Sequence, residues 1–221
     1  IGCDQLILLE PSQVADVKMR IFNADGGEVE ACGNATRCIA TLLNKPAAIE
    51  TLGGILQTIP GDSGATVTLL PPAFDWELIP LAMPMDTRDM PVSWEELARP
   101  AAVNVGNPHV VFFVPDCDAV DLEMLGPIIE HDPLFPERVN VNVASLDGEN
   151  HLKLRVWERG VGLTRACGTG ACATAVTAVR AGLVRSPVCV SLPGGDLDIT
   201  WEDGNAIQMT GPATHVFTGE A

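Results

Sequence analysis

The chain has 221 residues, of which 47% are hydrophobic and 19% charged, with a formal net charge of −16 and a pI near 4.4. A chain of this length buries ~70% of its unfolded surface and needs no disulfide staples. Its apolar content excludes disorder, and its negative charge argues against nucleic acid or an anionic membrane surface as partner. No run approaches the ~18 uninterrupted apolar residues of a membrane span. The chain begins at Ile1 and not at methionine, so a native N-terminal segment is expected to precede it, and any targeting signal would lie there.

In chain order, alternation and β-branched content predict strands at Gln5–Glu10, Asp16–Asn23, Ala65–Leu70, His109–Val114, Arg138–Ala144 and His151–Glu158. A C-terminal meander follows: Val188–Leu192, a turn at Leu192–Asp196, Asp196–Trp201, an Asp203-Gly204 turn and Ala206–Thr210. Two helices, Gly33–Asn44 and Gly168–Leu183, are small and apolar almost all round, the composition of helices buried among strands. A shorter, exposed helix is expected over Asp121–Glu130, and the proline-rich stretch Pro71–Pro100 reads as irregular connection.

Seven cysteines lie at 3, 32, 38, 117, 167, 172 and 189. An odd, scattered set is no disulfide framework, and no spacing matches a zinc site, so no metal is expected. Free thiols fit a reducing, cytoplasmic setting. Cys3, Cys117 and Cys189, with Cys38 and Cys172 inside the two apolar helices, read as small buried hydrophobes.

An internal repeat is the most informative feature. Lys18–Gly33 aligns with Lys153–Gly168 without a gap at a constant offset of 135 residues, and six of the sixteen positions are identical. Each copy reads strand, glycine-containing turn, Ala-Cys-Gly, helix. Two copies of one unit predict two pseudo-symmetric halves. Each copy sets a cysteine, Cys32 or Cys167, at a helix start, where unpaired N–H groups and the helix dipole favour a thiolate. The same N–H groups bind carboxylates. Two related thiols, one from each half, are expected to face one another across a cleft. That pairing suits inversion at a carbon bearing an acidic hydrogen: one thiolate removes the proton and the other thiol delivers one to the opposite face. Helix N-termini would stabilise the carbanion through the α-carboxylate.

The segment Phe22–Asn34, continuing to Arg37-Cys38, resembles the first signature of the diaminopimelate epimerase family, and Glu158–Ala171 resembles the second. Gly106-Asn-Pro-His109 and Phe135-Pro-Glu-Arg-Val-Asn140 are similar to two further blocks, in the same order. The resemblance covers nearly the whole chain. It implies a cofactor-independent epimerase that interconverts LL- and meso-diaminopimelate in lysine and peptidoglycan precursor synthesis. By motif match Cys32 and Cys167 would be the acid/base pair, with His109 and Glu158 adjusting the thiols. Gln5, Asn23, Asn107, Asn140, Glu158 and Arg159 would line the substrate site, and Gly33, Asn34, Gly168 and Thr169 would offer it N–H groups. The first cysteine loop reads Cys-Gly-Asn-Ala where many members have Cys-Gly-Asn-Gly, and the family's N-terminal Gly-Asn-Asp-Phe element is not in this sequence.

The expected fold is α+β, with two pseudo-symmetric halves, each a curved, mostly antiparallel sheet wrapped around a central apolar helix. One half would comprise residues 1–81 with 211–221, regaining its last strand near Ala213–Thr218, and the other residues 82–210. The partner is a small amino-acid substrate, and a homodimer is compatible with the resemblance. The rivals are a proline-type racemase or phenazine-pathway isomerase of the same superfamily, a cysteine hydrolase using Cys32 or Cys167 with His109, and an oxidant-sensing thiol protein.

Overall fold

The structure, a computed structural model, describes residues 3, 5–24, 26–29 and 32–220. Asp25, Glu30 and Ala31 of the first signature lie outside the described residues. In chain order the elements are β1 (Gln5–Glu10), β2 (Val17–Asn23), β3 (Glu28–Val29), α1 (Gly33–Leu43), β4 (Ala47–Thr51), β5 (Gly54–Gly61), β6 (Gly64–Leu69), β7 (Ser93–Trp94), β8 (Leu97–Ala98), β9 (Ala101–Asn104), β10 (Pro108–Phe113), α2 (Leu122–Glu130), β11 (Asn140–Leu146), β12 (His151–Glu158), β13 (Gly162–Thr164), α3 (Gly168–Arg180), β14 (Val188–Leu192), β15 (Gly195–Thr200) and β16 (Ile207–Pro212). The chain divides into two compact units, Ile1–Leu69 with Gln208–Ala221, and Leu70–Ile207. The fold is α+β, and the two units are pseudo-symmetric.

In the first unit the strand order is β1-β2-β4-β5-β6-β16, with β3 on β2. The pairs β1–β2, β2–β3, β4–β5 and β5–β6 are antiparallel, and β2 with β4, which α1 connects, is parallel. One face of α1 packs on β4, β5 and β6, around an apolar cluster of Met19, Ile21, Ala35, Ile39 and Ile49. The helix is therefore one-sided and not apolar-buried all round as expected: Cys38 is exposed and Leu42 is 63% exposed. Cys3 is exposed as well. The strand that closes this unit is β16 and not Ala213–Thr218, which has no regular structure.

In the second unit the order is β15-β14-β12-β11-β10-β9, with β13 on β12. Helix α3 touches all six strands of that order. Six strands at ~4.8 Å spacing span more than twice the ~10 Å width of a helix, so the sheet must curve around it. Alanine, glycine and threonine along α3 permit that approach, and ten of its residues are buried. The opposite face of the sheet carries α2 and a second core that includes Val110, Phe112, Leu122, Leu125, Ile129, Val141 and Val143. That helix is amphipathic, with Asp121 capping it by accepting from Met124 N at 3.1 Å.

The proline-rich stretch is packed and not a bare connection. Ile79, Leu81, Met90 and Leu97 enter the same second core, Ala73 exchanges backbone bonds with Asn104, and Phe74 meets Trp201 edge-on at 6.1 Å. Residues 70–81 thus belong to the second unit. Strands β4, β5, β9 and β13 escape sequence reading because they are short, glycine-bearing or, at Pro60, interrupted.

The repeat is now visible in strand register. Ile7 pairs with Ile21 and Asn142 with Val156; Ile21 pairs with Val29 and Val156 with Thr164. Each residue is offset by 135 from its counterpart. Beyond the helices the hairpins also match, Ile49 with Leu56 and Val190 with Leu197, at an offset of 141. The second copy has six more residues between its cysteine and its next strand.

Candidate active site

Both repeat cysteines are N-cap residues in extended backbone, Cys32 at φ −144° and ψ 109°, Cys167 at φ −135° and ψ 105°. Each does with sulfur what serine or aspartate does at most N-caps. Ala35 N donates to Cys32 Sγ at 3.5 Å and Gly170 N to Cys167 Sγ at 3.3 Å. The helices are then closed by Thr36 N to Cys32 O and Ala171 N to Cys167 O, both at 3.0 Å.

In the first unit, Gln5 Nε2 donates to Asn23 Oδ1 at 3.0 Å across the β1–β2 pair. At the helix start Gly33 and Asn34 follow Cys32, and Asn34 Oδ1 accepts from Arg37 Nη2 at 2.9 Å. Arg37, 6% exposed, also reaches Pro212 O at 3.3 Å and Met209 Sδ at 3.7 Å, which ties α1 to β16.

In the second unit, Cys167 is buried. Burial pushes its thiol well above the ordinary range, and the adjacent Glu158 carboxylate pushes the same way; the Thr169 hydroxyl and Gly170 N–H pull it down. Burial and carboxylate win, so the protonated thiol is the favoured form, against the sequence expectation that the helix start makes a thiolate. Glu158 Oε1 accepts from Thr164 Oγ1 at 2.5 Å, and Thr169 Oγ1 lies 3.6 Å from Cys167 Sγ.

His109, in β10, is 0% exposed. Its ring contacts Asn142 Nδ2 through Nδ1 at 2.9 Å and Asn107 Oδ1 through Nε2 at 3.0 Å. Burial lowers its pKa to about 3, and the Arg159 cation acts in the same direction. It is therefore neutral near pH 7, and each ring nitrogen already has a partner. Asn107 Nδ2 in turn donates to Thr169 Oγ1 at 3.3 Å, so His109 lies three hydrogen bonds from Cys167 Sγ.

Asn140 is 3% exposed and holds backbone at both ends of its amide: Nδ2 donates to Pro108 O at 2.8 Å and Oδ1 accepts from Arg159 N at 2.9 Å. Arg159 Nη1 donates to Glu137 O at 3.1 Å. The structure thus brings together Cys167, Glu158, Thr169, Asn107, His109, Asn140 and Arg159 in the second unit, and Gln5 with Asn23 and Asn34 near Arg37 in the first. Arg20 and Arg155, the matched strand arginines, have structural partners, Glu28 at 2.8 Å and Val120 O at 2.7 Å.

Sequence reading missed two residues here. Asn142 alternates with valines in β11 and so reads as a solvent-facing position, yet both faces of that strand are covered. Glu130 ends a helix that looks exposed, yet it is 2% exposed and accepts from Gly160 N at 2.9 Å, fixing the turn after Glu158. Among the described residues no group of three His, Cys, Asp or Glu side chains converges as a metal site.

Against known proteins, residues 1–70 and 101–216 match the family model described as diaminopimelate epimerase. The chain is 77% identical over 220 residues to a diaminopimelate epimerase of Sphingopyxis alaskensis, covering 100% of this chain and 82% of that protein. It is 68% identical to one of Rhizorhabdus wittichii, covering 100% of this chain and 80% of the relative. Among solved structures, a phenazine biosynthesis protein of the PhzF family from Bacillus anthracis aligns with a TM-score of 0.69 at 17% identity, covering 96% of this chain and 82% of that one. A hydroxyproline epimerase from Agrobacterium vitis aligns at 0.66 and 18% identity, covering 94% and 71%. These two share the fold.

Proposed function

The chain belongs to the diaminopimelate epimerase family, and from that premise we propose that it interconverts LL- and meso-diaminopimelate by a two-thiol mechanism. The observation that carries the mechanism is the duplicated frame. One strand–turn–N-cap unit occurs in each half at matching register, and each ends on a cysteine sulfur that accepts a helix amide. The reading calls on no cofactor. One sulfur removes the α-proton as a thiolate, and the other, as a thiol, returns a proton to the opposite face. With burial and Glu158 favouring its protonated form, Cys167 is suited to the donating role until it is itself deprotonated. Helix N–H groups after each cysteine, at Gly33–Asn34 and Gly168–Thr169, receive the substrate carboxylate and stabilise the carbanion. Gln5, Asn23, Asn107 and Arg159 hold the remaining polar groups, and Asn140 fixes the backbone of Arg159. The hydrolase reading loses its base, since each His109 ring nitrogen is already engaged. No helix among the described residues is long and apolar enough to cross a membrane. A cytoplasmic setting and a homodimer complete the proposal.

The test is deuterium incorporation from heavy water into each pure stereoisomer by Cys32→Ala and Cys167→Ala. Positioned acid/base groups contribute ~10²–10⁴-fold each, so inversion falls by orders of magnitude in both variants. Each retains exchange of one isomer only, and the two prefer opposite isomers. Exchange of the same isomer by both variants rules the mechanism out.

A further inference from the structure

The hydrogen bonds around His109 all run one way. Val110 O is a carbonyl and only accepts, so the Asn142 atom 3.2 Å from it is the amide nitrogen. The other hydrogen of that nitrogen goes to His109 Nδ1 at 2.9 Å. A ring nitrogen that accepts carries no proton, so the neutral imidazole keeps its hydrogen on Nε2 and donates to Asn107 Oδ1 at 3.0 Å. With its oxygen so engaged, Asn107 presents its nitrogen to Thr169 Oγ1 at 3.3 Å. Thr169 accepts there, so its own hydrogen is not spent on Asn107 and is available to Cys167 Sγ, 3.6 Å away.

We propose that Asn142 is a positioning residue that sets the direction of this chain and thereby delivers a hydroxyl hydrogen bond to the sulfur of Cys167. A donor to sulfur favours the thiolate, which Cys167 must become when it acts as a base. The inference rests on the two-thiol reading of Cys167.

The repeat supplies the comparison. At the offset of 135, Asn142 corresponds to Ile7 and Gly170 to Ala35. In the first unit Ile7 packs against the apolar cluster that contains Ala35. In the second unit that contact is replaced: a Cβ at Gly170 would lie 2.8 Å from Asn142 Oδ1, so the helix carries glycine where the amide needs room. Asn142 is fully buried and its Oδ1 has no hydrogen-bond partner. A buried amide with an unsatisfied oxygen costs stability that an isoleucine would not. Its contribution therefore lies at the nitrogen, the end that holds His109. The charged groups near the chain are Glu158 beside Cys167 and Arg159 acting on His109.

Asn142→Ile installs the first unit's residue and removes the donor. Nothing then holds the proton on Nε2, the Asn107 amide is free to turn over, and the Thr169 hydroxyl can donate to Asn107 while accepting from the thiol. The experiment follows alkylation of each cysteine by iodoacetamide in the full chain against pH, resolved by peptide mass spectrometry. Cys167 in N142I is expected to react about tenfold more slowly at neutral pH, the scale of one lost hydrogen bond to a charged group, with its profile moved to higher pH and that of Cys32 unchanged. An unchanged Cys167 profile, or equal changes at both cysteines, overturns the proposal. Nitrogen-15 NMR of His109 in the unaltered protein is a second arm that needs no variant: a proton found on Nδ1 also overturns it. Neither readout requires turnover, so failure of the epimerase reading and failure of this one are distinguishable.

Discussion

Gly126 of α2 lies against the indole of Trp157: a Cβ on Gly126 would stand 2.5 Å from Trp157 Cγ and Cδ2. The same indole donates from Nε1 to Glu130 Oε2 at 2.7 Å, one helical turn further on. A mid-helix glycine is unfavourable by ~1 kcal/mol against alanine, so its presence marks the closeness of helix to sheet. Helix propensity predicts that Gly126→Ala stabilises; the contact predicts the reverse. We expect a loss of about 1–3 kcal/mol from overpacking, read as a lower urea midpoint. A raised midpoint would mean that the indole yields freely.

Gly64 tests the first unit in the same manner. Its added Cβ would meet Gly211 O at 2.0 Å, and backbone cannot swing aside as a side chain can. Gly64→Ala is expected to separate β6 from β16 and to cost about 3 kcal/mol or more. Amide exchange at Thr66 and Thr210, whose hydroxyls are 2.8 Å apart, should accelerate. Unaltered exchange there contradicts the close pairing.

His109 gives a pH signature. Burial depresses its pKa in the folded chain to about 3, below the ~6.5 of an unfolded histidine. The unfolded state therefore binds the extra proton between those values, and stability falls as the pH drops from about 6.5 toward about 3. His109→Gln removes this contribution, so its urea midpoint should decline less over that interval. Asp16 and Glu28, held low by the Ala48 N–H and by Arg20, contribute in both proteins and cancel in the difference. Parallel curves would show that His109 is not buried neutral.

Thiol labelling separates the remaining cysteines. In native protein Cys3 and Cys38, both exposed, should react with iodoacetamide well before the buried Cys117 and Cys172. Peptide mapping that finds Cys172 labelled together with Cys38 would count against the enclosure of α3 by its sheet.

Each repeat was legible because its information is local. A cysteine, the glycine after it and the strand before it lie within sixteen consecutive residues, and the N-cap geometry they adopt is decided by neighbouring backbone amides. Strand alternation and the constant offset then carry the pseudo-symmetry, and the family signatures ride on the same segments. What tertiary structure decided is where the two copies differ. Nothing in the string Val-Asn-Val-Asn-Val tells Asn142 from a solvent-facing asparagine, because its burial requires α3 on one face of β11 while α2 covers the other. Glu130 becomes interior only when Trp157 and Gly160, distant in sequence, bring their N–H groups to its carboxylate. The expected thiolate at Cys167 was the local reading of a helix start. Burial by the curved sheet and the charge of Glu158 outweigh the helix amides, because desolvation acts on a charge from every side while a helix end acts from one.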